Sequence, residues 1–309
     1  MLVSASSAPI RVTVKVPASC ANLGPGLDIF ALALDMYNTT TFEKSEVFEM
    51  TVEGEGQDEL SSGKDNLIYT AFESVYHKIG EPAPCVKISC KNNIPVERGL
   101  GSSAAAVLTG LLAANTFSGV HLSTKQILEL ATLSEGHADN VTAALIGGCV
   151  LVLRQDGNLS YFQIPFPTDL KAVTFIPSFK ISTREARKCL ESPFALKDVL
   201  FNSERVALLV VALTTNRLDM LKTATQDRLH QPRRKKLFPQ MDSIFNAALA
   251  AGALGTFLSG SGSSIIALVK DNELKIGQAM VDKGVEVGVT GRIVVLHPNF
   301  QGAQIVSDA

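Results

Sequence analysis

The sequence predicts an α+β fold divided into two domains. With 309 residues, the chain exceeds one domain of ordinary size, and two domains could each bury a core of their own. Segments that alternate like strands stand among segments with helical spacing, without an internal repeat. A glycine-rich stretch, RGLGSSAAA at residues 98–106, lies between a strand-like and a helix-like segment. These observations predict mixed domains with a ligand-binding loop at the start of a helix.

In the first half, hydrophobic periodicity predicts strands and helices in turn. The strand-like segments are residues 10–16, two within 39–52, 86–90 and 149–153. The helix-like segments are residues 66–79, 103–115 and 126–134. The first domain is expected to close near Phe166, which gives domains of residues 1–166 and 167–309.

The second half opens with an apolar run at residues 172–176 and contains another at 206–213. A polar, basic patch follows at residues 228–236. Strands are predicted around residues 264–269 and 291–296.

Composition excludes several classes of partner. The 28 basic and 30 acidic residues give a formal charge of −2, so neither nucleic acid nor a membrane is an expected partner. The apolar stretches at residues 143–153 and 206–213 are too short to span a bilayer, and residues 1–10 lack the apolar core of a signal peptide. These features predict a soluble, cytoplasmic protein.

The cysteines are predicted to be buried thiols rather than disulfides or metal ligands. Their number, five, is odd, and none of their spacings forms a CxxC motif. They are Cys20, Cys85, Cys90, Cys149 and Cys189.

The glycine-rich stretch is typical of a phosphate-binding loop. Gly99 and Gly101 would let backbone N–H groups approach an anion, and the start of the helix adds partial positive charge. Ser102 and Ser103 supply hydroxyls for capping or for a metal. A Walker loop is excluded because no lysine follows the glycines, and a dinucleotide loop is disfavoured because no acidic residue lies about 20 positions later. An ordinary helix entry with a serine cap remains open.

Three further clusters place polar groups among glycines or beside apolar runs. They are PASCANLGPGLD at residues 17–28, EGHADN at 135–140 and LSGSGSS at 258–264. In the first cluster Asn22 and Asp28 could serve a site or satisfy local backbone, and the second could be a helix-capping loop. The third could be a second glycine loop that approaches the same anion.

Together, in this order and spacing, the four motifs resemble those of the GHMP small-molecule kinases over nearly the whole chain. The segments ISTREAR at 181–187 and DRLHQPRR at 227–234 resemble the branch of that family that acts on homoserine. The resemblance implies an N-terminal domain like domain 2 of ribosomal protein S5 and a C-terminal ferredoxin-like α/β sandwich. It also implies phosphorylation of L-homoserine to O-phospho-L-homoserine in threonine biosynthesis, with ATP and Mg²⁺, a small-molecule substrate and a possible homodimer.

The resemblance further implies an ATP site with Asn66 near the adenine and a loop around the phosphates. The loop residues are Pro95, Val96, Glu97, Arg98, Gly99, Leu100, Gly101, Ser102, Ser103, Ala104 and Ala105. Ser103 and Glu135 are the implied Mg²⁺ ligands.

The implied substrate-binding residues are Asn22, Asp28, Asp139, Arg187 and Arg234. The two arginines would bind the carboxylate of the amino acid, which a planar guanidinium can contact through two hydrogen bonds. Their neighbours Arg184 and Arg233 remain open as alternatives.

The implied catalytic residues are Asn140 and Asp139. Phosphoryl transfer depends mainly on positioning and charge neutralisation, so Asn140 is expected to orient the substrate hydroxyl, whose proton passes to phosphate or solvent. Asp139 is the alternative, as a dedicated general base.

Three positions depart from the family pattern without removing a charge: Cys20 replaces the usual serine, Leu27 a common phenylalanine and Ser263 a common proline. Family members that act on mevalonate, a diphosphocytidyl polyol or a sugar are the nearest alternatives, but those substrates lack the paired charges of an amino acid. A non-catalytic ATP-binding relative is disfavoured by Ser103 and Glu135. A nucleotide-linked dehydrogenase is disfavoured by the missing ribose-binding acid.

Overall fold

Seven strands form the first sheet of the computed structural model, which describes residues 10–191 and 193–306. They are β1 Arg11–Ala21, β2 Phe30–Lys44, β3 Glu49–Gly54, β4 Val86–Asn92, β5 Cys149–Gln155, β6 Asn158–Ile164 and β11 Gln304–Val306. The order is β11-β1-β2-β4-β3, and β5 pairs with both β2 and β6. The long β2 pairs with β5 through its first residues and with β4 through its last, so it organises the whole sheet.

Four strands form the second sheet, which is antiparallel throughout. They are β7 Lys171–Pro177, β8 Gly255–Leu258, β9 Ile265–Val269 and β10 Gly291–Leu296. Their order, β10-β7-β9-β8, is 4-1-3-2 in chain order, which is the arrangement of a ferredoxin-like sheet. The predicted α+β fold with two unlike halves is confirmed.

Ten α-helices cover these sheets in the described part of the chain. They are α1 Leu67–Ile79, α2 Ser102–Ser118, α3 Thr124–Glu135, α4 Asp139–Ile146, α5 Thr183–Lys188, α6 Leu196–Thr214, α7 Leu221–Ala224, α8 Gln231–Arg234, α9 Met241–Ala251 and α10 Glu273–Glu286. None of the helices described is long and apolar enough to cross a membrane. The expectation that residues 1–10 carry no signal peptide falls almost entirely outside the described residues.

Most predicted elements are present, and three differences have clear causes. Residues 139–146 form α4, whereas residues 135–140 were left open as a helix-capping loop and no helix was predicted after them. Strand β6 was not predicted, because as an edge strand it buries none of its side chains fully. The apolar run at 206–213 is the second half of α6, whose more polar first half hides the helical spacing.

Helix α2 is apolar on all its faces and lies inside the first half of the protein. Its buried residues include Ala105, Val107, Leu108 and Ala113, which are distributed around the helix axis rather than along one stripe. A helix surrounded in this way has a fixed axis, so its first turn is held at a fixed place beside Ser19, near the end of β1. That place is where the glycine-rich loop ends.

The two halves share a continuous apolar core. The largest cluster of buried side chains combines Phe42 and Phe72 of the first half with Leu209 and Phe257 of the second. The chain also returns to the first sheet at its end, where β11 pairs with β1. We retain the division at residues 166 and 167 as a proposal for the two domains, with residues 304–306 completing the N-terminal sheet.

The cysteines are free thiols, as predicted, but only three of the five are buried. Cys20, Cys90 and Cys149 are buried, while Cys85 and Cys189 are partly exposed, which corrects the expectation of uniform burial. Burial raises the pKa of Cys20 to about 12 and also raises the pKa of Cys90 and of Cys149. These three thiols therefore stay protonated and unreactive in the folded protein.

We expect two thiols to react with Ellman's reagent in the native protein and all five after denaturation. The measurement is a thiol titration at about pH 8, near the ordinary thiol pKa of about 8.5. Rapid reaction of five thiols under native conditions would contradict the burial described here. Fewer than five in denaturant would instead reveal a disulfide.

Candidate active site

A cavity of about 660 Å³ lies between the two halves of the protein and brings the sequence motifs together. Its lining draws residues from all four motifs and from both arginine segments. The glycine-rich loop and the first turn of α2 form one wall, and Arg187 and Arg234 stand in another part of the lining. Segments separated by up to about 240 positions thus meet at one site.

The first turn of α2 is prepared to bind an anion. Gly101 is the N-cap residue, and in the part of the chain that the structure describes no side chain caps this turn. Ser102, Ser103 and Ala104 line the cavity. The unsatisfied N–H groups of a first helical turn, together with the helix dipole, form a phosphate-binding site. An ordinary helix entry with a serine cap is therefore excluded.

The two glycines of the loop are required by neighbouring protein as well as by their backbone angles. Both have a φ of +72°. A Cβ on Gly99 would lie 2.1 Å from the carbonyl oxygen of Ser259, and one on Gly101 would lie 2.3 Å from Oγ of Ser19. Close approach to an anion was the predicted reason for these glycines, whereas in the structure Gly99 allows close approach to the loop at Ser259 and Gly101 to strand β1 at Ser19.

The serine-rich loop at residues 258–264 supports the glycine-rich loop. Ser259 Oγ donates a hydrogen bond to the carbonyl of Gly99 at 2.6 Å, and the N–H of Ser264 donates to the carbonyl of Arg98 at 3.0 Å. Gly260 and Ser261 also line the cavity. The loop thus lines the same cavity as the glycine-rich loop and also braces that loop, which the sequence did not reveal, while its approach to an anion stays a prediction.

Several residues that the resemblance implies for the ATP site are buried in the core or hydrogen-bonded to other parts of the protein. Leu100 and Ala105 are fully buried and do not line the cavity. The guanidinium of Arg98 donates to the carbonyls of Val96, Pro177 and Ser178, so it holds the loop against the second half. For these three side chains a direct contact with ATP is not supported.

Asn66 lines the cavity as expected, but both ends of its amide are already bonded. Its Oδ1 accepts from the N–H of Ile68 as the N-cap of α1, and its Nδ2 donates to the carbonyl of Ser61. The neighbouring Pro95, Val96 and Glu97 line the same cavity. The position of Asn66 near the adenine stays a prediction. Because its amide is already bonded at both ends, the geometry favours Asn66 as part of the cavity wall.

Ser103 and Glu135 meet at the cavity. Ser103 Oγ lies 2.5 Å from Glu135 Oε1, and the glutamate side chain is only 8% exposed. A hydroxyl and a carboxylate are oxygen ligands, and Mg²⁺ in phosphate-transfer sites is held by one or two such groups together with substrate phosphates. No group of three or more His, Cys, Asp or Glu residues in the described chain could hold a metal without such help. The pair therefore fits Mg²⁺ that arrives with a nucleotide.

The EGHADN motif continues this wall into α4. Asp139 is 2% exposed, and its Oδ1 accepts hydrogen bonds from the N–H of Asn140 and from Nδ1 of His137. Burial lowers the pKa of His137, but the hydrogen bond and charge of Asp139 and the charge of Glu135 outweigh it, so the pKa is raised overall. The sequence analysis gave His137 no role, although its place between two acidic residues was a signal.

Asn140 is oriented by a residue that the sequence analysis also left without a role. Ser19, fully buried in β1, donates from Oγ to Oδ1 of Asn140 at 2.9 Å. This bond directs the carbonyl end of the amide to the protein and leaves the NH₂ end for the cavity that Asn140 lines.

Arg187 and Asp28 form a two-fold hydrogen-bonded ion pair at the cavity. Nη1 and Nη2 of Arg187 donate to the two carboxylate oxygens of Asp28 at 3.0 and 2.8 Å. Burial raises the pKa of Asp28, but the bonds and charge of Arg187 outweigh it and lower the pKa overall. Asn22 supports this pair, because its Oδ1 accepts from the N–H of Asp28 and its Nδ2 donates to the carbonyl of Gly260. Direct contact of Asn22 with a substrate stays a prediction.

Arg234 is a buried cation that faces the cavity. It is 3% exposed, and its Nη1 donates to Nδ1 of His230 and to the carbonyl of Gly260. Within the described residues no carboxylate lies within ion-pair distance, and burial lowers the pKa of Arg234 to about 10. The guanidinium thus stays charged at neutral pH. Its Nη2 has no hydrogen-bond partner among these residues and is not enclosed, so it points to the cavity.

The structure distinguishes the arginines that the sequence left as alternatives. Arg233 points away, stacks on Phe194 and donates to the carbonyls of Leu190 and Pro193. Arg184 is exposed at the cavity wall, next to the better buried Arg187. The geometry therefore favours Arg187 and Arg234.

Two family descriptions match parts of the chain that contribute residues to this cavity. The description "GHMP kinases N terminal domain" matches residues 66–148, and "GHMP kinases C terminal" matches residues 209–286. The class that the fold and the site define is thus that of the GHMP kinases.

Similar sequences and solved structures indicate which branch of the GHMP kinases this chain resembles. The homoserine kinase of Microchaete diplosiphon is 40% identical over 300 residues, which are 96% of this chain and 98% of that protein. The homoserine kinase of Caldicellulosiruptor bescii is 43% identical over 261 residues, 84% of this chain and 85% of that protein. A crystal structure of homoserine kinase from Cytophaga hutchinsonii has a TM-score of 0.87 at 29% identity and covers 99% of this chain and 100% of that one. This chain belongs to the homoserine kinase branch of the GHMP kinases.

Other GHMP kinases share the fold at lower sequence identity. The crystal structure of L. major mevalonate kinase in complex with R-mevalonate has a TM-score of 0.65 at 17% identity, with 96% of this chain and 99% of that chain covered. This likeness concerns the fold alone.

Proposed function

We propose that this cavity transfers the γ-phosphoryl group of ATP to the side-chain hydroxyl of L-homoserine. The observation that carries the proposal is Arg234, a buried guanidinium without a carboxylate partner in the described chain, beside the Arg187–Asp28 pair. A buried charge that lacks a partner is costly, so the site is built for an anionic group. An amino acid supplies a carboxylate for the arginines and an ammonium for Asp28.

The first turn of α2 supports the proposed binding of ATP. Its free N–H groups and the dipole of the helix suit the β- and γ-phosphates of ATP. Gly99 lets the loop pack against residues 258–264 and Gly101 lets it pack against Ser19 of β1, so the anion site is formed before ATP binds. Preformed donors stabilise the transition state without reorganisation during the reaction.

Ser103 and Glu135 are the residues that would hold Mg²⁺. A bound Mg²⁺ would supply positive charge that neutralises the charge of the transferring phosphates. Without the ion, Ser103 donates to Glu135, which keeps both oxygens at the cavity wall.

The substrate hydroxyl attacks the γ-phosphorus, the bond from that phosphorus to the β–γ bridging oxygen breaks, and ADP leaves. Arg187 and Arg234 orient the carboxylate end of homoserine, and the NH₂ group of Asn140 orients its hydroxyl oxygen. Oδ1 of Asp139 already accepts two hydrogen bonds, from His137 and from Asn140. We therefore favour release of the hydroxyl proton to the transferred phosphate or to solvent over a dedicated base.

We expect Mg²⁺-dependent ADP release with L-homoserine and much slower release with mevalonate or galactose, which lack the ammonium group. The measurement is a coupled ADP-release assay across homoserine, threonine, mevalonate and galactose, with product identity checked by mass spectrometry. Equal or faster turnover of mevalonate or galactose would contradict the proposal. Assembly into a homodimer and a cytoplasmic location stay predictions.

A further inference from the structure

His230 lies directly behind Arg234 and is completely enclosed. Its relative exposure is 0%, its Nδ1 lies 2.9 Å from Nη1 of Arg234, and its Nε2 lies 2.6 Å from the carbonyl oxygen of Gly24. One imidazole ring therefore links an arginine of the second half to the loop that leads to Asp28. Neither the four motifs nor the mechanism assigns a function to this histidine.

The two ring nitrogens must have opposite roles. A carbonyl oxygen can only accept, so Nε2 carries the proton and donates to Gly24. A guanidinium can only donate, so Nδ1 carries no proton, and burial lowers the pKa of His230 in agreement with a neutral ring. The lone pair of Nδ1 consequently accepts the hydrogen bond from Arg234.

The backbone that carries the ring is held by the carboxylate of Asp227. This fully buried side chain accepts from the N–H groups of Leu229, His230 and Gln231 and from Nδ2 of Asn202. Its Oδ2 lies 3.6 Å from Nε2 of His230, on the side of the ring away from Arg234. The imidazole thus lies between the guanidinium and the buried acid, and among the described residues Asp227 makes no direct hydrogen bond to Arg234.

We infer that His230 is a positioning residue for the substrate carboxylate. Its neutral Nδ1 holds Nη1 of Arg234 so that Nη2 faces the cavity, and it does so without cancelling the charge of the guanidinium. Gly260, the other acceptor of Nη1, is also uncharged, so the cation is oriented entirely by neutral groups. The inference rests on the proposed role of Arg234 in binding homoserine.

Two substitutions separate the functions of the two ring nitrogens. In His230→Asn the side-chain oxygen stands two bonds from Cβ, as Nδ1 does, so an acceptor for Arg234 is kept and the donor to Gly24 is lost. In His230→Gln the terminal amide stands three bonds from Cβ, as Nε2 does, so the donor to Gly24 is kept and the acceptor for Arg234 is lost. We expect the KM for homoserine to rise about 10-fold in His230→Gln and less than about 3-fold in His230→Asn, while the KM for ATP stays within about 2-fold in both.

Gln231→Met is the matched control. It removes a buried hydrogen bond in the same short helix, from the N–H of Leu258 to Oε1 of Gln231, without touching Arg234. An equal rise of the homoserine KM in His230→Gln and Gln231→Met would mean that any disturbance of the packing around α8 weakens homoserine binding. That result would overturn the inference. Equal effects of the Asn and Gln substitutions, or parallel shifts of the KM for ATP, would overturn it as well.

Arg234→Leu, assayed beside them, separates this inference from the proposed function. An unchanged homoserine KM in Arg234→Leu contradicts the carboxylate-binding role itself, whereas a raised KM there with an unchanged KM in His230→Gln refutes only the positioning role. If a His230 variant does not fold, ¹⁵N spectra of the histidine-labelled wild-type protein decide. We expect one of the five histidines to stay neutral, with the proton on Nε2, below the pH of about 6.5 at which exposed histidines become charged, and its signal should shift when homoserine binds. A charged ring, or a proton on Nδ1, would overturn the inference.

Discussion

Replacing Arg234 by leucine is expected to raise the KM for homoserine by about 10- to 150-fold, since a hydrogen bond to a charged group contributes about 1.5–3 kcal/mol. The KM for ATP should stay within about twofold, because Arg234 lies beside His230 and Gly260 rather than at the start of α2. A lysine at this position should restore only part of the affinity, because it keeps the charge and loses the planar fork. The measurement is the pair of KM values in the same ADP-release assay.

Arg233→Leu is the control for this prediction. It removes the same guanidinium from the neighbouring position, where the side chain stacks on Phe194 outside the cavity. Its homoserine KM should stay near the wild-type value. An unchanged KM in Arg234→Leu, or the same increase in both variants, would contradict recognition of the substrate carboxylate by Arg234.

Replacing Glu135 by glutamine is expected to lower kcat by about 100-fold, in line with the loss of other groups that stabilise charge in a transition state. Glutamine keeps the size of the side chain and an oxygen that can accept from Ser103, so the wall of the cavity should remain intact. What it loses is the negative charge that would hold Mg²⁺. The measurement is kcat across a magnesium titration, together with the midpoint of thermal unfolding.

Glu129→Gln provides the matched control on the same helix, α3. Glu129 is largely exposed and lies 3.9 Å from Lys125, a surface pair whose loss should change the free energy of unfolding by about 0–1 kcal/mol. Its kcat should equal that of the wild type. A normal kcat of Glu135→Gln at saturating magnesium would show that the metal ligand lies elsewhere.

The sequence allowed the site to be located more reliably than the roles within it. The motifs around Gly99, Glu135 and Ser259 all contribute to one cavity, as their resemblance to a family of kinases implied. The supporting contacts were not predictable, because Ser19 reaches Asn140 across 121 positions of the chain. No local pattern encodes such a bond, since it depends on how β1 packs beside α4.

By itself, the sequence determined the alternation of strands and helices, the glycine loop before α2 and the class of chemistry. These features are local, because periodicity and turn residues report the backbone angles and the buried face of each segment. Only the tertiary structure decided between Arg233 and Arg234, which are adjacent in α8. Packing against Phe194 turns one outward, while His230 and the carbonyl of Gly260 hold the other toward the cavity. Successive residues of a helix point about 100° apart, so the side that faces the cavity is set by the surroundings of the helix and not by its own residues.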